Sequence, residues 1–151
     1  RWTPLIYQYR NLGFDEIVPL YKACDIAMIT PLRDGMNLVA KEFVASRTDG
    51  TGVLILSEMA GAVKEMGEAL VINPFHVDDF VWALERAMKM PVEEQQRRMH
   101  MMQERLQRYD VTRWAGDFVH GMVLTGRTEA DRRVRVLSGK AQEQMVEAWR
   151  G

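Results

Sequence analysis

Apolar residues come along this chain in short runs, and the runs change character half way. LIYQY (5–9), DIAMIT (25–30), VLILS (53–57) and ALVIN (69–73) are nearly continuous. Such continuity over four to six residues predicts strands covered on both faces. Between the runs, apolar positions recur at helical spacing. FDEIVPLYKAC (14–24) carries Phe14, Ile17, Val18 and Tyr21 this way, and MNLVAKEFVASR (36–47) carries Val39 and Phe43. Pro19 inside the first pattern predicts a kink or a shifted helix start. GAVKEMG (61–67) reads as a short helix ended by glycine. Strand alternating with helix predicts an α/β fold with a parallel sheet.

After Asn73-Pro74 the alternation stops. VDDFVWALERAMKM (77–90), VEEQQRRMHMMQERLQRY (92–109) and VTRWAGDFVHGMV (111–123) predict consecutive helices. Pro91 fits the first turn of the second, and Asp110 or Thr112 caps the third. From Thr125 to Gly151 the chain is charged, is broken at Ser138-Gly139, and offers little to bury before Met145, Val146 and Trp149. This predicts two parts: residues 1–124, and a connector with a helical segment over 125–151.

Composition narrows the field. The chain has 151 residues, 47% of them hydrophobic, which fits one domain or a large piece of one with a real core. A net charge of −1 from 20 basic and 21 acidic residues gives no general attraction to nucleic acid or acidic membranes. Cys24 is the single cysteine, so no internal disulfide forms; the run YKACDIAMI predicts a buried, inert thiol and a reducing, cytoplasmic setting. No stretch nears the roughly 18 apolar residues of a membrane helix, and no signal peptide is legible. The chain begins at Arg1-Trp2 without methionine, so an excised segment is expected.

Chemistry concentrates in TPLRDGMNLVAKE (30–42). Ligands of open α/β sheets sit beyond the carboxyl ends of strands, and this stretch follows DIAMIT directly. The next helix starts near Gly35 to Asn37, with unpartnered first-turn amides and a positive dipole end, a ready site for phosphate oxygens. Gly35 allows close backbone approach or an unusual φ. Asp34, at the helix mouth, can cap those amides or accept from sugar hydroxyls. Glu42, four residues after Leu38, shares its helix face and can take both hydroxyls of a ribose diol. A plainer reading stands beside this: Asp34 caps the helix, Gly35 makes the turn, and Glu42 is solvated or paired with a nearby lysine.

TPLRDGMNLVAKEFVA, then GVLILSEMAGA and ALVINPF, resemble the trehalose-6-phosphate synthases, the retaining glucosyltransferases of family 20. FDEIVPLYKACDIAMI and RRMHMMQERLQRYDVTRWAGDFV fit the same family, so the likeness runs from about Trp2 to about Val123. It implies part of the C-terminal, Rossmann-like domain of the two-domain GT-B arrangement. By motif position it implies that Asp34, on the catalytic side, bonds glucose hydroxyls. The Gly35, Met36 and Asn37 amides then line the glucose, Leu38 and Val39 amides meet the diphosphate, and Glu42 holds the ribose. The implied reaction moves glucose with retention from UDP-glucose, or another nucleotide glucose, to glucose 6-phosphate, with no essential metal or other cofactor. The Arg and Lys that steady the leaving diphosphate, and the N-terminal acceptor domain, are expected before Arg1. The isolated chain is therefore expected to be inactive. KAQEQMVEAWRG resembles the connector that precedes a phosphatase domain in two-domain trehalose proteins. Synthases of glucosylglycerol phosphate, and non-catalytic sugar-sensing or scaffolding relatives, remain alternatives.

Other residues read as structural. His76, His100 and His120 lack the close spacing of metal ligands. Arg97, Arg98, Arg105 and Arg108 lie among Glu93, Glu94 and Glu104, which predicts a solvated helix face. The 11 methionines suit adaptable packing. Ser57 and Glu58 are divided between site wall and cap, Arg33 between pairing with Asp34 and lining a cleft. Tyr21 and Lys22 are candidates to border a base, and Trp114 is expected to pack.

Overall fold

A computed structural model describes residues 2–109 and 112–125. The chain divides after Arg108 into two compact units. The first is built as α1 (Phe14–Ala23), β1 (Ile26–Ile29), α2 (Leu38–Ser46), β2 (Val53–Ser57), a 3-10 turn (Gly61–Lys64), β3 (Leu70–Ile72), α3 (Val77–Met88) and α4 (Val92–Arg108). The strands form one parallel sheet in the order β1-β2-β3. Ile26 pairs with Val53 and Ile29 with Leu56; Ile55 pairs with Leu70 and Ser57 with Ile72.

The unbroken apolar run of β2 is explained by its surroundings, since all five of its residues are buried. Leu54 and Leu56 point to one side, into a core with Phe43 and Val44 of α2 and Met99 and Met102 of α4. Val53 and Ile55 point to the other, toward Leu70, Ile72 and the alanines Ala83 and Ala87 of α3. Alternation about a strand thus feeds two cores. Met66, Met90, Met99 and Met102 are all buried, as the packing reading of the methionines expects.

Helix ends are held from other elements. Gln103 of α4 donates to the Val44 and Arg47 carbonyls at the end of α2, at 3.0 and 2.9 Å. The Pro91 carbonyl takes the first bonds of α4 from Glu94 and Gln95. Asn73 closes a turn on the Phe75 amide, and its own amide donates to Asp79 of α3. Beyond Arg108, residues 112–125 are helical. Within that helix Trp114 stacks on Phe118, with ring centroids 5.5 Å apart. Asp110 and the segment 126–151, with the expected connector, lie outside the described residues.

Four expectations are corrected. LIYQY forms no strand: Leu5, Ile6 and Tyr7 are exposed, and neither sheet edge takes this segment as a neighbour. Tyr7 and Tyr9 stack, as side chains two residues apart do on a strand, but no ladder takes up the backbone of this segment. Cys24 is exposed rather than buried, because it is the C-cap of α1 and precedes the strand. GAVKEMG makes only the 3-10 turn. The arginines of α4 are not uniformly solvated: Arg98 donates to the Glu68 carbonyl at 2.7 Å, and Arg105 grips both Glu68 carboxylate oxygens and the Glu65 carbonyl. These charges fasten the loop before β3.

Candidate functional site

The site begins where β1 ends. Beyond Ile29 the chain turns through residues 30–37 and enters α2. This loop is laced to the one after β2: Asp34 N–H donates to the Met59 carbonyl (3.2 Å), Gly61 N–H to the Asp34 carbonyl (2.9 Å) and Ala62 N–H to the Met36 carbonyl (2.6 Å). Parallel pairing of β1 with β2 is thereby carried past the strand ends, with an isolated bridge between Asp34 and Ala60. Ser57 ends β2 buried, and its hydroxyl accepts from the Met59 amide, so it caps the turn; Glu58 is exposed beside it.

Inside the loop, both Asp34 carboxylate oxygens accept bonds, one from the Met36 amide (3.0 Å) and one from the Asn37 side-chain amide (2.9 Å). The Met36 amide, followed by the Asn37 side chain, holds the Asp34 carboxyl below its usual range, so it is ionised near neutrality. Asp34 pairs with these groups rather than with Arg33, which is exposed. Asn37 caps α2 by accepting from the Ala40 amide at 2.9 Å. It does so at φ 77°, the only left-handed non-glycine among the described residues. Asparagine tolerates that region better than most residues, and two side-chain bonds offset the strain.

The glycines divide the work differently from the sequence expectation. Gly35 needs no left-handed φ, and a methyl group on it would meet nothing within 4 Å. Its freedom is open space beside the loop. Gly61 is the one required by packing: a Cβ there would lie 2.1 Å from the Gly35 carbonyl oxygen. The sequence signal was the glycine of SEMAGA, placed after a strand end.

At the mouth of α2, Leu38 and Val39 are exposed, and neither amide has a protein acceptor among the described residues. One turn along stands Glu42, exposed, whose Oε2 accepts from the Tyr21 hydroxyl at 3.1 Å. Lys41 turns away to Glu65 (2.6 Å), and no described cation pairs with Glu42. Tyr21 and Lys22 line a groove of about 310 Å³ between α1 and α2, together with Phe14, Ile17, Val18 and Glu42. Loss of hydration, then the bond to Glu42, pushes the Tyr21 hydroxyl up to about 12, so it stays a donor.

The least legible residue is Arg47, only 3% exposed. Its guanidinium donates to the carbonyls of Tyr21, Lys22 and Cys24, to Thr51 and to Asp49. It therefore fastens the end of α1 to the end of α2. The histidines do not gather: His76 bonds Asp79, and His100 lies near Glu104. Among the described residues there is no group of three possible metal ligands. No described helix is long and apolar enough to cross a membrane.

Helix-start amides without a protein acceptor, an ionised carboxylate and a second, cation-free carboxylate one turn along make a surface suited to an anion joined to hydroxyls. Known proteins share this arrangement of elements. The UDP-forming α,α-trehalose-phosphate synthase from Burkholderia xenovorans, solved with glucose 6-phosphate, is 40% identical, with a TM-score of 0.74 over 80% of this chain and 27% of that one. A bifunctional trehalose-6-phosphate synthase/phosphatase of Thermoproteus tenax is 50% identical over 90% of this chain and 19% of its own. A glucosylglycerol-phosphate synthase of Picosynechococcus is 48% identical over 76% and 23%. The chain thus spans about a fifth to a quarter of the length of these relatives. The parallel sheet with flanking helices is the Rossmann-like architecture of the C-terminal domain in GT-B synthases. Residues 1–123 match the model of glycosyltransferase family 20, and the chain belongs to that family.

Proposed function

We propose that this chain is the donor-binding wall of a glucosyltransferase that moves glucose, with retention, from UDP-glucose or a related nucleotide glucose to glucose 6-phosphate. One observation carries the reading. Along the start of α2, the acceptor-free Leu38 and Val39 amides are followed one turn later by the Glu42 carboxylate, which has the neutral Tyr21 hydroxyl but no described cation as partner. Diphosphate oxygens suit the amides, and a ribose diol suits the carboxylate. Asp34 and the Gly35 amide face the glucose, and the open space beside Gly35 supports this assignment; the Met36 amide, expected to join them, is instead taken by the Asp34 carboxylate. Each Asp34 oxygen keeps a further lone pair for a sugar hydroxyl. No metal enters the scheme: fixed dipoles and upstream basic side chains steady the leaving diphosphate. The setting is cytoplasmic, with the missing partner domain supplying the acceptor site.

The near-equal likeness to a glucosylglycerol-phosphate synthase supports a second acceptor, a glycerol phosphate, for the same donor half. Turnover by the full-length protein with each acceptor separates the two. In that protein, Glu42→Gln is expected to weaken UDP binding by about 1.5–3 kcal/mol, the worth of a hydrogen bond to a charged group. Unchanged affinity in a calorimetric titration would remove Glu42 from the ribose role.

A further inference from the structure

The Glu42 carboxylate is unusual in what holds it. An exposed glutamate on a helix commonly finds a lysine or arginine three or four residues away. Here Lys41 is taken by Glu65, and the one described partner of Glu42 is the neutral Tyr21 hydroxyl, 21 residues earlier on another helix. A neutral donor fixes a carboxylate without cancelling its charge, which a bound hydroxyl pair would require. It also occupies one oxygen, Oε2, and so selects how the other is presented.

Tyr21 is itself over-determined. Its ring meets the fully buried Phe43 edge to face, at 6.3 Å and 83°. Its own carbonyl accepts from the buried Arg47 guanidinium at 3.2 Å, and the next carbonyl, of Lys22, accepts from the same group at 2.8 Å. Side chain and backbone are thus clamped to two points of α2, the helix that carries Glu42. The rest of α1 contains no buried residue and has Pro19 in its middle, and its first turn is held by the exposed Arg10–Glu16 pair.

We infer that Tyr21 is a positioning residue for donor recognition: its hydroxyl orients the Glu42 carboxylate toward the hydroxyls of the bound nucleotide's ribose. This rests on the ribose reading of Glu42. Its consequence is that α1, through one phenol, sets the sugar selectivity of a site otherwise built on α2. Tyr21→Phe removes the bond while keeping the ring on Phe43.

The test is a calorimetric titration of the full-length protein with UDP and with 2′-deoxy-UDP, for wild type, Tyr21→Phe, Glu42→Gln and the double variant, with melting temperatures alongside. Tyr21→Phe is expected to weaken UDP about five- to tenfold, the loss of one hydrogen bond. It should weaken 2′-deoxy-UDP less, and should add almost nothing once Glu42 is glutamine. If Tyr21→Phe leaves UDP affinity unchanged while Glu42→Gln lowers it, the positioning role is wrong and the ribose reading stands. Equal weakening of both nucleotides, additive with Glu42→Gln and accompanied by a lower melting temperature, would reduce Tyr21 to packing. If Glu42→Gln has no effect on UDP, the ribose reading falls and takes this inference with it.

Discussion

Two residues of the site show how far a side chain's type predicts its task. Asp34 was legible as a helix cap and as a sugar contact; Asn37 takes the capping place, while Asp34 closes the turn before it on the Met36 amide and keeps lone pairs for a sugar hydroxyl. Gly61 carries more than the sequence disclosed. Its N–H bonds the Asp34 carbonyl while its missing side chain lets the Gly35 backbone approach. Gly61→Ala forces a Cβ to within 2.1 Å of a backbone oxygen that has no flexible end to yield. We expect it to lower stability by about 2–4 kcal/mol, as overpacking and backbone displacement do. It should also weaken UDP binding in the full-length protein by shifting residues 34–37. Urea unfolding and the same titration check both, and a neutral variant on both counts would mean the two loops are not coupled.

At the scale of elements, the sequence disclosed those whose pattern is set by burial. β2 matched its apolar run and Phe43 its helical position because cores lie on both sides of the sheet, whereas Val39, expected on the same face of α2, is exposed. The sequence missed where pairing, not hydrophobicity, decides. LIYQY has the residues of a strand, but a strand exists only by its neighbour, and the described residues supply none. The role of Arg47 was hidden for a related reason: its partners are backbone carbonyls, which leave no trace in side-chain letters. Arg47→Met keeps a similar apolar volume and strands those acceptors. A loss of about 2–4 kcal/mol is expected, from several bonds to a charged donor at a nearly buried position. Denaturant titration measures it. The change should also loosen α1, seen as faster amide exchange across residues 14–23. A variant as stable as the wild type would show that water replaces the guanidinium at little cost.

For the whole molecule, the family assignment and the short span of this chain point the same way. Under the proposed function this chain is one wall of a two-walled site, and catalysis needs groups that the wall does not carry. The isolated chain is expected to show no glucosyl transfer from UDP-glucose to glucose 6-phosphate, and weak donor binding at most. Detectable turnover by the isolated chain would overturn that view of the division of labour. The amides of α2 and the Asp34 loop would then stabilise the departing diphosphate unaided.

The buried guanidinium has one more consequence, for which loops can change length. Arg47 reaches from the carbonyls of residues 21, 22 and 24 to Thr51 and Asp49, and its reach is fixed by its own bonds. It acts as a ruler laid across two loops at once. An extra residue in 21–25 or in 47–51 would carry a carbonyl out of range. Insertions and deletions among relatives should therefore collect away from the ends of α1 and α2, and an alignment of those relatives would show whether they do.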